Sequence, residues 1–158
     1  AVAPLWGYQV VEIGVFDTIA GANAAGARHA KAPVVAFTED HCFPEPAWAE
    51  ALVRAHEGPY AAVGPVVRNA NPATAVSWAD YLIGYGPWAY PSPSGEAPFL
   101  AGHNSSYKKV VLAEYGDRLE DMLAAETVLH LDLRARGTVA HYHELPVDGT
   151  NSRQRCGQ

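Results

Sequence analysis

The sequence predicts an α/β fold, and three observations carry that prediction. Val34-Val35-Ala36-Phe37-Thr38 is a continuous apolar run, the pattern of a strand buried on both faces. Gly21 to Lys31, just before it, is so rich in alanine that a helix is expected, and Pro33 ends it. Met122 to Arg136 repeats apolar residues at helical spacing, with Met122, Ala125, Leu129 and Leu133 on one face and Gly137 as the stop.

The remaining elements follow along the chain. Gln9 to Phe16 has the composition of a strand, so that with the alanine-rich helix and the run from Val34 it makes a β-α-β unit. Pro44-Glu45-Pro46 places proline near the first turn of a helix in which Trp48, Ala51, Leu52 and Ala55 recur at i, i+3, i+4 and i+7, a stripe suited to packing on a sheet. Ala61 to Val67 reads as a strand interrupted at Gly64-Pro65. Tyr81 to Phe99 mixes glycine and proline with Tyr81, Tyr85, Trp88 and Tyr90, and reads as a long loop presenting aromatic rings. Leu100 to Lys109 reads as a turn feeding a short strand, and Val139 to His143 as a last strand. There is no internal repeat and no low-complexity tract.

Composition narrows the function. A chain of 158 residues is one domain by length, and 49% hydrophobic with 18% charged residues is ordinary globular composition. The net charge of -6 argues against a nucleic-acid partner, because phosphate backbones are bound by clusters of Lys and Arg, and only Lys108-Lys109 and the pair Arg153 and Arg155 come close to one. No apolar run approaches the roughly 20 residues that span a bilayer, and the amino end lacks a signal-peptide layout, so a cytoplasmic chain is expected. Cys42 and Cys156 are far apart and make no disulfide framework; Cys42 is expected to be a small buried hydrophobe. The chain begins with Ala1 and its first periodic segment only at Tyr8, which is expected of a processed or excised piece.

The candidate site lies where the strand from Val34 runs into Glu39-Asp40-His41-Cys42. Residues just past the carboxyl end of such a strand open into the crevice where α/β sheets bind ligands. In an extended segment Glu39 and His41 share a face, and carboxylate oxygen with imidazole nitrogen suits Mn²⁺ or Mg²⁺. Taken alone, these three residues are better read as a capped polar loop.

Taken with their surroundings they say more. Gly21-Ala22-Asn23-Ala24-Ala25-Gly26-Ala27-Arg28, then Ala32-Pro33-Val34-Val35-Ala36-Phe37-Thr38-Glu39-Asp40-His41, then Pro44-Glu45-Pro46-Ala47-Trp48, resemble the family-two glycosyltransferases. Members read an alanine- and arginine-rich helix, a strand ending in an acidic metal motif, then a proline and a tryptophan. Val63-Gly64-Pro65-Val66, Gly102-His103-Asn104-Ser105-Ser106-Tyr107-Lys108, Glu126 and Leu133-Arg134-Ala135-Arg136-Gly137 fall where that family shows comparable segments.

The resemblance implies a GT-A fold, a three-layer α/β/α arrangement around a mixed sheet, here without the first strand-helix-strand of the nucleotide-binding half. It implies a nucleotide-sugar donor and a divalent ion, Mn²⁺ or Mg²⁺, held by an acidic triplet that here is Glu39-Asp40-His41, with His41 in the place of the usual Asp. Gly102, His103 and Asn104 resemble the segment lining the donor-sugar pocket, alongside Glu39 and Asp40 on the diphosphate. In the family the base that deprotonates the acceptor comes from an acidic pair at the start of a late helix. Glu126-Thr127 occupies that place with only the first acid kept, making Glu126 the candidate catalytic residue. Glu126 reads equally well as a solvated carboxylate favoured by the helix dipole. Val147-Asp148-Gly149-Thr150-Asn151 fits the frame of a further family motif with glycine where the metal-binding histidine stands, and His141 and His143 are better read as strand residues.

The leading expectation is therefore a metal-dependent glycosyltransferase with a carbohydrate or lipid-linked acceptor that stacks on Tyr85 and Trp88. Trp78, Tyr81 and Tyr90 are also suitable for stacking, although a core position suits Trp78 as well. The alternative is a noncatalytic sugar- or nucleotide-binding remnant of the same fold, suggested by the missing first unit, Thr127 and Gly149. A metal hydrolase using Glu39, Asp40, His41 and His103 is a third reading, though no H-E-x-x-H motif occurs. An incomplete sheet leaves an unpaired edge, so a homodimer covering it is expected.

Overall fold

The computed structural model describes residues 10–12, 14, 18–39 and 42–136, leaving out the side chain of His103, and the backbone of 140–143, 146–147, 150–151 and 154–156. Thr18 opens the first helix. Its backbone is extended and its Oγ1 accepts from the Gly21 amide at 3.0 Å, capping α1 (Ile19–His29). Ala20, Ala24 and Ala27 recur at helical spacing on the buried face. Ala30 is already non-helical, so the helix stops short of the expected Lys31. The chain then enters β1 (Val34–Ala36), which is shorter than the apolar run read from the sequence and is not buried on both faces: Val35 is buried, Val34 half-buried and Ala36 exposed, as befits a strand at the end of its sheet.

β2 (Cys42–Pro44) precedes α2 (Trp48–Ala55), whose buried face is the expected Ala51, Leu52 and Ala55. The next apolar segment divides, as its proline predicts, into β3 (Ala62–Pro65) and β4 (Val67–Asn69). α3 (Ala75–Tyr85), β5 (Gly95–Glu96), β6 (Ser106–Lys108), α4 (Lys109–Ala113), α5 (Leu119–Ala124) and α6 (Glu126–Ala135) follow, then β7 (Ala140–His143), β8 (Pro146–Val147), β9 (Thr150–Asn151) and β10 (Gln154–Cys156).

A five-stranded sheet has the order β1-β6-β3-β7-β5. β6 is antiparallel to both β1 and β3, β3 is parallel to β7, and β5 is antiparallel to β7, so the sheet is mixed. A smaller sheet has the order β2-β10-β4, and β8 pairs with β9. Side chains alternate across β3: Ala62 joins the main core with α1, α4, α5 and α6, while Val63 joins Ala51, Leu52 and Ala55 of α2.

Three further expectations are corrected. Half of the strand expected over Gln9 to Phe16 lies outside the described residues, and Val10 to Glu12 and Gly14 belong to no regular element. The segment read as a loop from Tyr81 begins inside a helix. Thr74 caps α3 by accepting from the Ser77 amide at 3.1 Å, and the helix carries on through Tyr85. Tyr81 is buried and donates to the Val67 carbonyl at 2.7 Å. The helix expected over Met122 to Arg136 is broken at Ala125, whose φ of -132° and ψ of 65° are non-helical. Leu119 and Leu123 before the break and Leu129 and Leu133 after it are all buried in the main core, so both short helices pack on the same side of the sheet.

Candidate active site

The break at Ala125 makes Glu126 the first residue of a new helix, where the partial positive charge of the helix N-terminus favours a carboxylate. On the other side, β1 ends at Ala36, and Phe37, Thr38 and Glu39 continue past its carboxyl end. Glu39 and Glu126 thereby line one cleft of about 630 Å³, with Thr18, Ile19, Ala20 and Asn23 of the α1 entry, Phe37, Thr38, and Leu123 and Ala124 of α5. Residues 87 positions apart in sequence are brought to one opening by the strand end and the helix break.

Gly102 adjoins them. A Cβ on Gly102 would stand 2.3 Å from Glu126 Cδ and 2.6 Å from its Oε1, so only glycine leaves the carboxylate its present place. This puts the turn Gly102–Asn104 directly against the helix that begins at Glu126.

Tyr85 acts through Glu39. Its hydroxyl donates to Glu39 Oε2 at 3.0 Å and is also hydrogen-bonded by the side chain of Asn104. Burial and the neighbouring carboxylate push the Tyr85 hydroxyl up to about 12, so it stays protonated and remains a donor. Asn104 is fully buried and its amide also reaches Cys42 Sγ at 3.6 Å, so this side chain braces the site from beneath and presents no surface to the cleft. Trp88 is half-buried, donates to the Phe99 carbonyl and meets the Phe99 ring edge-on at 5.8 Å. It lines a separate pocket of about 230 Å³ with Ser92, Glu96 and Phe99.

Asp40 and His41 lie outside the described residues, as does the side chain of His103, and so do the side chains of His141 and His143 and the position of Gly149. Thr127 is exposed beside Glu126. Among the described residues no three His, Cys, Asp or Glu side chains meet as a metal-binding group. Cys42 is buried beside Val67 and Tyr81, as expected, but it is disulfide-bonded, and the backbone of Cys156 stands opposite it where β10 pairs with β2. The two cysteines are distant in sequence, which hid that pairing.

The model of the family described as Glycosyl transferase family 2 matches residues 9–116. The chain belongs to glycosyltransferase family 2. The match takes in α1, β1, Glu39 and the Gly102–Asn104 turn and ends before Glu126, so Glu126 joins the site by geometry and not by the matched segment. No curated protein matches the chain. Membership of the family implies the GT-A fold, and the α/β architecture with a mixed sheet agrees with it. Among the described residues no helix is long and apolar enough to cross a membrane.

Sequence reasoning missed Thr18 and Asn23 on the cleft wall and the buried pair Tyr107 and His130 behind it. His130 carried a signal. It follows Glu126 by four residues and sits between Leu129 and Leu133 on the apolar stripe, where a histidine must be buried and partnered.

Proposed function

We propose that this chain transfers a sugar from a nucleotide-diphosphate donor to an acceptor hydroxyl, with Glu126 as the base and Glu39 on the donor side. The observation that carries the reading is one cleft into which a strand-end carboxylate and a helix-start carboxylate both open, in a chain of this family. A Glu126 carboxylate oxygen takes the proton of the attacking hydroxyl. Gly102 sets the backbone close to both the base and the donor sugar. Tyr85 and Asn104 hold the Glu39 carboxylate in place.

The chemistry of the donor set fits a hard divalent ion, Mn²⁺ or Mg²⁺: Glu39 offers carboxylate oxygen at the cleft, and Asp40 and His41, next in sequence, would complete the ligands. Such an ion, when bound, supplies positive charge to the departing diphosphate. Trp88, with Glu96 and Ser92 around its pocket, suits a carbohydrate or lipid-linked acceptor, one ring face for stacking and polar groups for hydroxyls. Three further readings belong with this proposal. Helices on both sides of β3 support a three-layer arrangement. β1 at the end of the sheet order supports a homodimer covering that edge. A cytoplasmic location is the reading from the lack of a spanning run or signal-peptide layout in the sequence, the disulfide at Cys42 is the pattern of an oxidising compartment, and fractionation of the producing cells decides between them.

Hydrolysis of a panel of uridine- and guanosine-diphosphate sugars with Mn²⁺ tests the proposal. Turnover should fall about 100-fold or more in Glu126→Gln and in Glu39→Ala while both variants stay folded. Binding of the nucleotide sugars without turnover in the intact chain would replace the transferase by the noncatalytic sugar- or nucleotide-binding alternative, which keeps the cleft. Neither binding nor turnover across the panel sinks both.

A further inference from the structure

Behind the cleft, the two elements that carry its parts are joined by a buried chain of hydrogen bonds. The Leu100 amide donates to His130 Nδ1 at 3.3 Å. That makes Nδ1 the acceptor, so in the neutral ring Nε2 carries the proton and donates to the Tyr107 hydroxyl at 2.7 Å. Ser105 Oγ lies 2.8 Å from the Tyr107 oxygen and 3.0 Å from the Gly102 carbonyl. Only one ordering gives every group its partner: Tyr107 donates to Ser105, and Ser105 donates to Gly102. His130, Tyr107 and Ser105 are at most 1% exposed, so water cannot substitute for any link. The Tyr107 and His130 rings are nearly parallel, 12° apart in plane, which fixes the ring that bears the hydroxyl. Burial holds His130 neutral, lowered to about 4, and pushes the Tyr107 hydroxyl up, as the assigned directions require.

The ends of this chain matter. It starts at the Leu100 amide, passes through His130 on α6, four residues and one turn beyond Glu126, and ends at the carbonyl of the glycine whose missing Cβ makes room for Glu126. Tyr107 also feels the Glu126 charge. We propose that His130, Tyr107 and Ser105 are positioning residues that lock the Gly102–Asn104 turn to α6 and thereby fix the Glu126 carboxylate at the cleft. The proposal rests on Glu126 as the base, but its geometry can be measured with no substrate present.

Tyr107→Phe keeps the ring and removes the hydroxyl, and Ser105→Ala cuts the last link if the first variant folds poorly. The 158-residue chain is followed by NMR at neutral pH. Long-range ¹H–¹⁵N spectra should show His130 protonated at Nε2 and bare at Nδ1. In either variant the Glu126 carboxyl ¹³C resonance and the Gly102 and Asn104 amides should shift. Ser106→Ala, on the opposite face of the same strand, should move neither. An Nδ1-protonated His130 would overturn the proposal. So would variants that lose stability while the Glu126 carboxyl resonance and the turn amides stay in place, since a purely structural role predicts that result. If the donor panel shows no turnover in the intact chain, the transferase reading fails and these spectra still decide the geometry. If turnover is seen, Tyr107→Phe should lower kcat about tenfold with KM within about twofold.

Discussion

The two faces of β6 carry the same chemistry to different ends. On one, the Tyr107 hydroxyl oxygen accepts a hydrogen bond from His130 Nε2 and the chain of bonds finishes at Gly102, beside Glu126. On the other, Ser106 donates to the Val63 carbonyl at 2.9 Å and lies 2.9 Å from His56 Nε2. Both histidines are buried and both are held down to about 4, His130 by burial alone and His56 by burial helped by the nearby Lys108 ammonium. The second network ties α2 to the middle of the sheet and touches nothing in the cleft. A buried His-hydroxyl pair is thus not a functional signal in itself. What separates the two is where the last acceptor sits: on a strand carbonyl, or on a turn packed against a carboxylate.

The widest separation between the two faces should come from Gly102→Ala. The new Cβ would overlap Cγ, Cδ and Oε1 of Glu126, a flexible side chain that must swing away, so the fold should survive at a cost of about 1–2 kcal/mol. Displacing the carboxylate by about 1 Å should lower donor turnover roughly 10- to 100-fold. Chemical denaturation and turnover on the same samples check both halves, and unchanged turnover would remove Gly102 from the site.

Acid should act on both faces together. Each histidine has a folded value of about 4 against 6.5 when unfolded, so between those values the unfolded chain binds more protons. Their contribution is complete above about pH 6.5 and is lost as pH falls toward 4. At pH 5 the loss is roughly 2 kcal/mol for each histidine. Urea unfolding at pH 7 and pH 5 measures the sum, and His56→Gln should remove about half of the pH dependence without changing the remainder.

Much of this was legible in the sequence, and the misreadings have physical causes. α1, β1, α2 and the division between β3 and β4 follow from local signals: an alanine run, an apolar run, a helical stripe and a proline. Glu39 and Glu126 were legible as candidates because each stands at an element's end. Their meeting in one cleft was not, since it depends on the break at Ala125, a residue with high helix propensity that tertiary packing overrides. Tyr85 was legible as an aromatic near glycines, but its hydrogen bond to Glu39 spans 46 residues and leaves no local trace. The Cys42 disulfide was hidden in the same way, in the pairing of β2 with β10.

Ser106→Ala sharpens the contrast from the structural face. It leaves the buried His56 Nε2 proton without an acceptor, which should cost about 1–3 kcal/mol, while donor turnover stays within about twofold. A loss of turnover as large as that of Gly102→Ala would mean that the two networks are coupled through β6 and that the distinction between them is wrong.

The smallest expected effect is at the mouth of the cleft. Thr18 caps α1 and donates from the same hydroxyl to Glu120 Oε1 of α5 at 3.1 Å, joining two walls of the opening at its exposed rim. Thr18→Ala removes both bonds, and the loss of a helix cap alone should cost about 1 kcal/mol, lowering the melting temperature by roughly 2–4 °C for a chain of this size. Thr18→Ser keeps the hydroxyl and should restore the melting temperature. Because the rim is solvated, water replaces the Glu120 bond and the Glu126 carboxyl ¹³C resonance should not move in either variant, whereas a shift there comparable to that of Tyr107→Phe would show that the cleft is held from its rim and not from behind.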